Sequence, residues 1–288
     1  MDKHKLDSLI ALLDDPDNSV FHIVLEELLK EDISLVDPLE HIWETSFDEL
    51  VQKRIEGIIQ EIQLKDTKER IKQWVDQETI DLFEGFFLIS RHRYPEIKLK
   101  PIQIQLERIK KDIWIEYKNS LTALEKIAIL NHIFFDQYKF KVDFFNLNSP
   151  HNCYINRILE TKKGNPVSIA ILYTIIAQSL NLPAYYIDFQ KNPLVGYFDK
   201  DIAQIIHGEE IGHSVLFYIN PSNKGAIIGT KEVDYIQNTS DEADRQKLTE
   251  PCPDRIIVKR LIEQLLVAYS ELGVQDKVNY LNEIAAIL

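Results

Sequence analysis

Apolar residues recur at helical spacing from residue 1 to about residue 95. Val20, Val24 and Leu28 stand at i, i+4, i+8, an interval that places side chains on one buried face, and Val51, Ile55 and Ile59 repeat the set 31 positions later. Pro16 in "DDPDNS" ends one helix and Asn18 or Ser19 is placed to cap the next, while Ser46 and Glu49 have the spacing of a capping box. Stacked helical pairs of this length predict a short solenoid.

Amphipathic helices continue through the middle of the chain. "TIDLFEGFFLISRHRYPEIKL" predicts a helix ending near Tyr94 and Pro95, Ile102 to Tyr117 a second, and Ala123 to Tyr138 a third, opened by a Thr122–Glu125 capping box. "KGNPVSIAILYTIIAQSLNLPAYYIDF", residues 163–189, then predicts a tight loop, an apolar helix of about four turns and a strand starting at Pro183.

The period changes after that helix. "PAYYIDF", "PLVGYF", "HSVLFYIN" and "GAIIG" are short, rich in β-branched and aromatic residues, and separated by Gly, Pro and Asn. They predict a small antiparallel sheet behind the helix. From Asp254 helical spacing returns, with Ile257, Leu261, Leu265 and Ala268 on one face. Gly273 serves as a C-terminal cap, and Val278, Leu281, Ala285 and Leu288 line a last helix.

Composition narrows the functional classes. At 288 residues and 45% hydrophobic the chain can bury a substantial core. A net charge of -13 opposes nonspecific binding to nucleic acid or to an acidic membrane, since both need clustered cations. Charges interrupt the start "MDKHKLDSLIALLDD" where a signal peptide needs an apolar run. The longest apolar run, within Val167 to Ala177, is about half of the roughly 20 residues that span a bilayer. A cytoplasmic protein is expected. Cys153 and Cys252 are too few for a disulfide scaffold and lack paired zinc-site spacing.

Five segments occur in a recognisable order: "FEGFFLISRHRYPEI", "LNHIFFDQYKFKVD", "SPHNCYINRILETKKGNPVSIAILYTIIAQSLNLP", "FYINPSNKGAII" and "LIEQLLVAYSELGV". On these, residues from about 80 to the end resemble the SirB-type transglutaminase-like family, whose members join a transglutaminase-like core to a tetratricopeptide-like tail. The resemblance covers roughly two thirds of the chain and implies an α+β fold. The expected architecture is mostly helical: a HEAT-like helical region over 1–78, a transglutaminase-like core over 79–240 with one helix on a small antiparallel sheet, and a C-terminal helical hairpin over 250–288.

In catalytic members of the wider superfamily a cysteine thiolate attacks an acyl group, a histidine keeps the thiol ionised, and an Asp or Asn orients the imidazole. The resemblance places the cysteine position on Pro166, or on Ser168 if the loop is two residues shorter, and neither is a thiol. Pro166 suits a first-turn proline, and Ser168 a cap or packing residue. Where the family carries Gly-His-Phe this chain has Lys191, Asn192 and Pro193, and Asn192 cannot take a proton. The orienting position falls on Asn220 in "YINPSNKG", which suits an Asx-turn before Pro221.

Other residues are weighed as replacements. His213 lies seven positions before Asn220, which in a straight strand separates them by about 23 Å on opposite faces. His207, Glu209, Glu210 and His213 in "HGEEIGH" lack helical phasing, so no metal site is expected. His151 and Cys153 would lie side by side if "SPHNCYIN" were a strand. The expected function is a non-catalytic binding or scaffolding module with a protein or peptide partner, no cofactor and no catalytic residue. The rival is a hydrolase or peptidase using Ser168, or Cys153 with His151. Oligomeric state is not legible.

Overall fold

The computed structural model describes residues 3–118, 120–189, 192–207, 214–229, 231 and 247–288. The chain divides into two compact units, Met1–Gln73 and Trp74–Leu288.

The first unit is built from α1 (Lys3–Ile10), α2 (Asn18–Leu28), α3 (Val36–Thr45) and most of α4 (Glu49–Val75). Its core joins Leu13, Val24, Leu28, Leu39, Val51, Ile55 and Ile58, with Ile59 packed against it, so all of the repeated apolar residues but Val20 contribute to one cluster. Two capping expectations are displaced by one or two residues. Asp17, not Asn18 or Ser19, caps α2 by accepting from the Ser19 N–H, and Asp48, not Ser46, accepts from the Leu50 and Val51 N–H groups at the start of α4. A carboxylate is the stronger acceptor where a helix N-terminus concentrates partial positive charge. Buried Arg54 closes the inter-helix turn, donating to the carbonyls of Leu13 and Asp15 at 2.9 and 2.6 Å.

The second unit opens with α5 (Leu82–Arg93), α6 (Leu99–Glu116) and α7 (Ala123–Asn131), the last begun by the expected Thr122–Glu125 capping box and continued as a π-helical turn over His132–Gln137. A two-residue parallel pairing of β1 (Lys141–Val142) with β2 (Lys163–Gly164) brackets α8 (Ile155–Thr161). Then comes α9 (Pro166–Ser179), four turns long and buried from Val167 to Thr174 and again at Ile176 and Ala177.

All four predicted strands are present: β3 (Ala184–Ile187), β4 (Leu194–Phe198), β5 (Val215–Asn220) and β6 (Ala226–Ile228), with a short α10 (Lys200–His207) between β4 and β5. They form one antiparallel sheet in chain order, in which Tyr186 faces Val195, Gly196 faces Tyr218 and Asn220 faces Ala226. Helix α9 packs on β3 and on the turn after β5.

The C-terminal pair, α11 (Asp254–Glu271) and α12 (Gln275–Ala285), forms a hairpin, with Gly273 taking the positive φ of 70° that ends α11. Ile257, Leu261, Leu265 and Ala268 are buried as expected. In α12 the buried residues are Leu281 and Ile284, a narrower stripe than the sequence suggested. α11 lies against α5 and α9, and its Arg260 grips Asp188 at the end of β3 with Nε–O distances of 3.0 Å and an Nη2–O distance of 2.8 Å. Thus the tail helices are part of the packing of the core.

Candidate functional site

The start of α9 is where a transglutaminase-like nucleophile would be presented. Asn165 caps the helix, Pro166 occupies its first turn, where a missing N–H costs nothing, and Ser168 is the third helical residue. The Asn165 side chain accepts from the Ser168 N–H at 2.8 Å, and the Ser168 hydroxyl accepts from the Asn165 N–H at 3.0 Å. That hydroxyl also donates to the Asn152 carbonyl at 2.6 Å. Ser168 has 0% exposure, so no acyl group can reach its Oγ without opening the helix start.

Cys153 lies directly behind this cap. Its Sγ accepts from the Asn165 amide nitrogen at 3.1 Å, and burial pushes its thiol up to about 12, so it is un-ionised near neutrality. His151 belongs to the same short 3-10 turn, Pro150–Cys153, so the strand that a side-by-side His151–Cys153 pair requires is not formed. Residues two apart in a 3-10 turn point to different sides. His151 is accordingly exposed, with its Nδ1 3.0 Å from the Tyr94 hydroxyl, while Cys153 faces inward.

Of the remaining candidates, the described Asn192 and Asn220 make no hydrogen bond to Ser168 or Cys153. Asn192 is exposed in the bend before β4. Asn220 ends β5 and its Oδ1 accepts from the N–H groups of Ser222 and Asn223 at 3.0 and 3.3 Å, an Asx-type turn. Gly208 to His213, which hold most of "HGEEIGH", lie outside the described residues, as does Lys191. Among the described residues no imidazole is hydrogen-bonded to Ser168 or Cys153. The arrangement closes a helix end.

A family model described as the transglutaminase-like superfamily matches residues 100–263, more than half of the chain. The chain belongs to the transglutaminase-like superfamily. It is similar to a UPF0162 protein of Xylella fastidiosa (strain 9a5c), 23% identical over 213 residues that cover 70% of each chain. A UPF0162 protein of Pasteurella multocida is 35% identical over 74 residues, 26% of this chain and 28% of the relative. F-box only protein 21 of Homo sapiens is 23% identical over 150 residues, 52% of this chain and 22% of that protein. No solved structure matches. No described helix of this transglutaminase-like chain is long and apolar enough to cross a membrane.

Two groups with displaced acidities lie elsewhere in the unit, and sequence reasoning singled out neither. His92, near the end of α5, sits edge-on to Tyr280 of α12, with ring centroids 6.3 Å apart. Burial, then the charges of Lys277 and Arg93, hold it down at about 4, against an ordinary 6.5. Asp254 begins α11 close to Asp81, the cap of α5; burial and the Asp81 charge raise it from an ordinary 3.8 to about 6.

The signs of the two groups are opposite. Between pH 6.5 and 4 the unfolded chain protonates His92 before the folded chain does, so acidification removes up to about 3 kcal/mol. Over pH 6 to 4 the folded chain keeps a proton on Asp254 that the unfolded chain has lost, so acidification adds stability, by less because Asp254 is more exposed. Urea midpoints measured from pH 7 to 4 check this. Expected is a steeper acid loss in Asp254→Asn and, in His92→Gln, stability that rises toward pH 4.

Proposed function

We propose that this chain is a non-catalytic SirB-type transglutaminase-like protein, a pseudoenzyme that serves in the cytoplasm as a protein-binding or scaffolding module. Its proposed organisation is a HEAT-like region over 1–78, the core over 79–240 and a tetratricopeptide-like hairpin over 250–288. Pro166, Ser168, Asn192 and Asn220 are then the remnants of a catalytic cleft. The observation that carries the reading is the Ser168 hydroxyl, fully buried and held by backbone groups of Asn165 and Asn152. A serine or cysteine hydrolase needs its nucleophile in a cleft beside a base, and the exposed His151 turns toward Tyr94 instead.

The test is to incubate the native protein with generic amide and glutamine-peptide substrates, and separately with fluorophosphonate and iodoacetamide probes. No turnover above background is expected, and no labelling of Ser168 or Cys153 while the fold is intact. Turnover lost on Ser168→Ala or Cys153→Ser, together with probe labelling at that residue, would sink the reading.

A further inference from the structure

Helix α6 has two apolar faces, and the fold uses one. Ile102, Ile109 and Ile113 are buried. Ile104, Trp114 and Ile115 lie on the opposite side at 59%, 67% and 62% exposure. At 100° per residue Ile104, Arg108, Lys111 and Ile115 fall within one narrow stripe, with Lys100 and Trp114 beside it. All three cations are exposed, and Lys100 and Lys111 have no acidic partner among the described residues. Glu107 is the acid on this face, and it pairs with Lys110 at 3.5 Å. On a chain of net charge -13, a basic stripe interleaved with bare aliphatic and indole side chains is against the general composition.

The stripe adjoins a cavity of about 660 Å³ between α6, the start of α5 and the end of α9. Leu82, Phe83, Ile104, Leu106, Ile175 and Ile176 supply its apolar lining, and Lys100, Asp81 and Glu107 its charged groups. Its volume lies in the range that holds an inserted group of ligand size, about 300–1,000 Å³. An aliphatic cavity opening beside a basic stripe has the form of a groove for one helix face.

We infer that α6 and this cavity bind an acidic amphipathic helix of a partner protein, whose aliphatic or aromatic anchor enters the cavity while its Asp and Glu residues meet Lys100, Arg108 and Lys111. This names the partner class of the binding module proposed above and rests on that reading. The charge complementarity selects this occupant: an apolar face alone would not gather the three exposed cations Lys100, Arg108 and Lys111.

The experiment selects a random library of helix-length displayed peptides on the full-length protein, then measures the enriched peptide by fluorescence polarisation. Expected are sequences rich in Glu and Asp with apolar residues at i, i+3, i+4 and i+7. Their binding should weaken with salt and fall about tenfold or more in Lys100→Glu/Lys111→Glu and in Ile104→Ser. These positions are exposed, so the variants keep the fold, which circular dichroism verifies. Peptides without acidic bias, or equal binding by the variants, would overturn the assignment. So would phosphatidylserine vesicle binding or self-association that the same substitutions abolish in place of peptide binding. Turnover in the amide assay with peptide binding intact would instead overturn the non-catalytic reading and leave this groove standing.

Discussion

Replacing Trp74 by alanine is expected to lower the unfolding free energy of the second unit by about 4 kcal/mol, the scale of deleting a fully buried aromatic ring. The indole has 0% exposure, and its Nε1 donates to the Asp81 carbonyl at 2.9 Å. Gly85 of α5 runs against the same ring, where even a methyl group would come within 2.6 Å of Trp74 Cζ2 and 2.7 Å of Val258 Cγ2. At Gly85, α5 therefore packs tightly against both the ring and Val258 of α11. Trp74→Phe keeps most of the volume and loses the donor, so it should cost about 1–2 kcal/mol. Urea unfolding followed by circular dichroism reads both values, and a loss under about 1 kcal/mol for Trp74→Ala would contradict this packing.

Gly225→Ala is expected to cost a similar amount, about 4 kcal/mol, for a different reason. Gly225 has φ of +73°, where an L side chain is strained by about 1–2 kcal/mol. Its N–H closes the turn onto the Asn220 carbonyl, and its own carbonyl accepts from Asn131 Nδ2 at 2.9 Å. Asn131 Oδ1 in turn accepts from the Tyr173 hydroxyl of α9 at 2.7 Å. A Cβ at Gly225 would lie 2.1 Å from Asn131 Oδ1, so the amide must leave both bonds, which supplies the rest of the cost. In an Asn131→Ala background that clash is absent, and the added cost of Gly225→Ala should fall to about 1–2 kcal/mol. Full additivity in this double-mutant cycle would refute the coupling between the turn after β5 and α9.

Much of the architecture was legible because it depends on local chemistry. The four strands were bounded by Gly, Pro and Asn, whose turn preferences are intrinsic, and the Thr122–Glu125 box follows from two side chains three residues apart. The Asn165 and Ser168 pair has the same spacing and could have been read as a capping box directly. Asp17 and Asp48 were missed because an Asn or Ser one or two positions away looked equally able to cap, and only backbone entry angles decide between such near neighbours.

The pairing of His151 with Cys153 failed for a related reason. Two-residue spacing puts side chains together only in a strand, and Pro150 starts a 3-10 turn there. The bare second face of α6 was present in the sequence as Ile104, Trp114 and Ile115, but an apolar residue on a helix is assumed to be buried until a neighbour fails to cover it.

By itself the sequence determined the order of helices and strands, the apolar faces that bury and the absence of a thiol at the start of α9. These follow from periodicity and residue type, which act within a few positions. Tertiary structure alone decided that Ser168 is sealed beneath Asn152 and that Cys153 is held un-ionised behind Asn165. It also decided that His92 is neutralised by a hairpin from the far end of the chain, and that the described residues leave one side of α6 uncovered. Burial, desolvation and long-range hydrogen bonds depend on which distant segments meet, and no local pattern encodes that meeting.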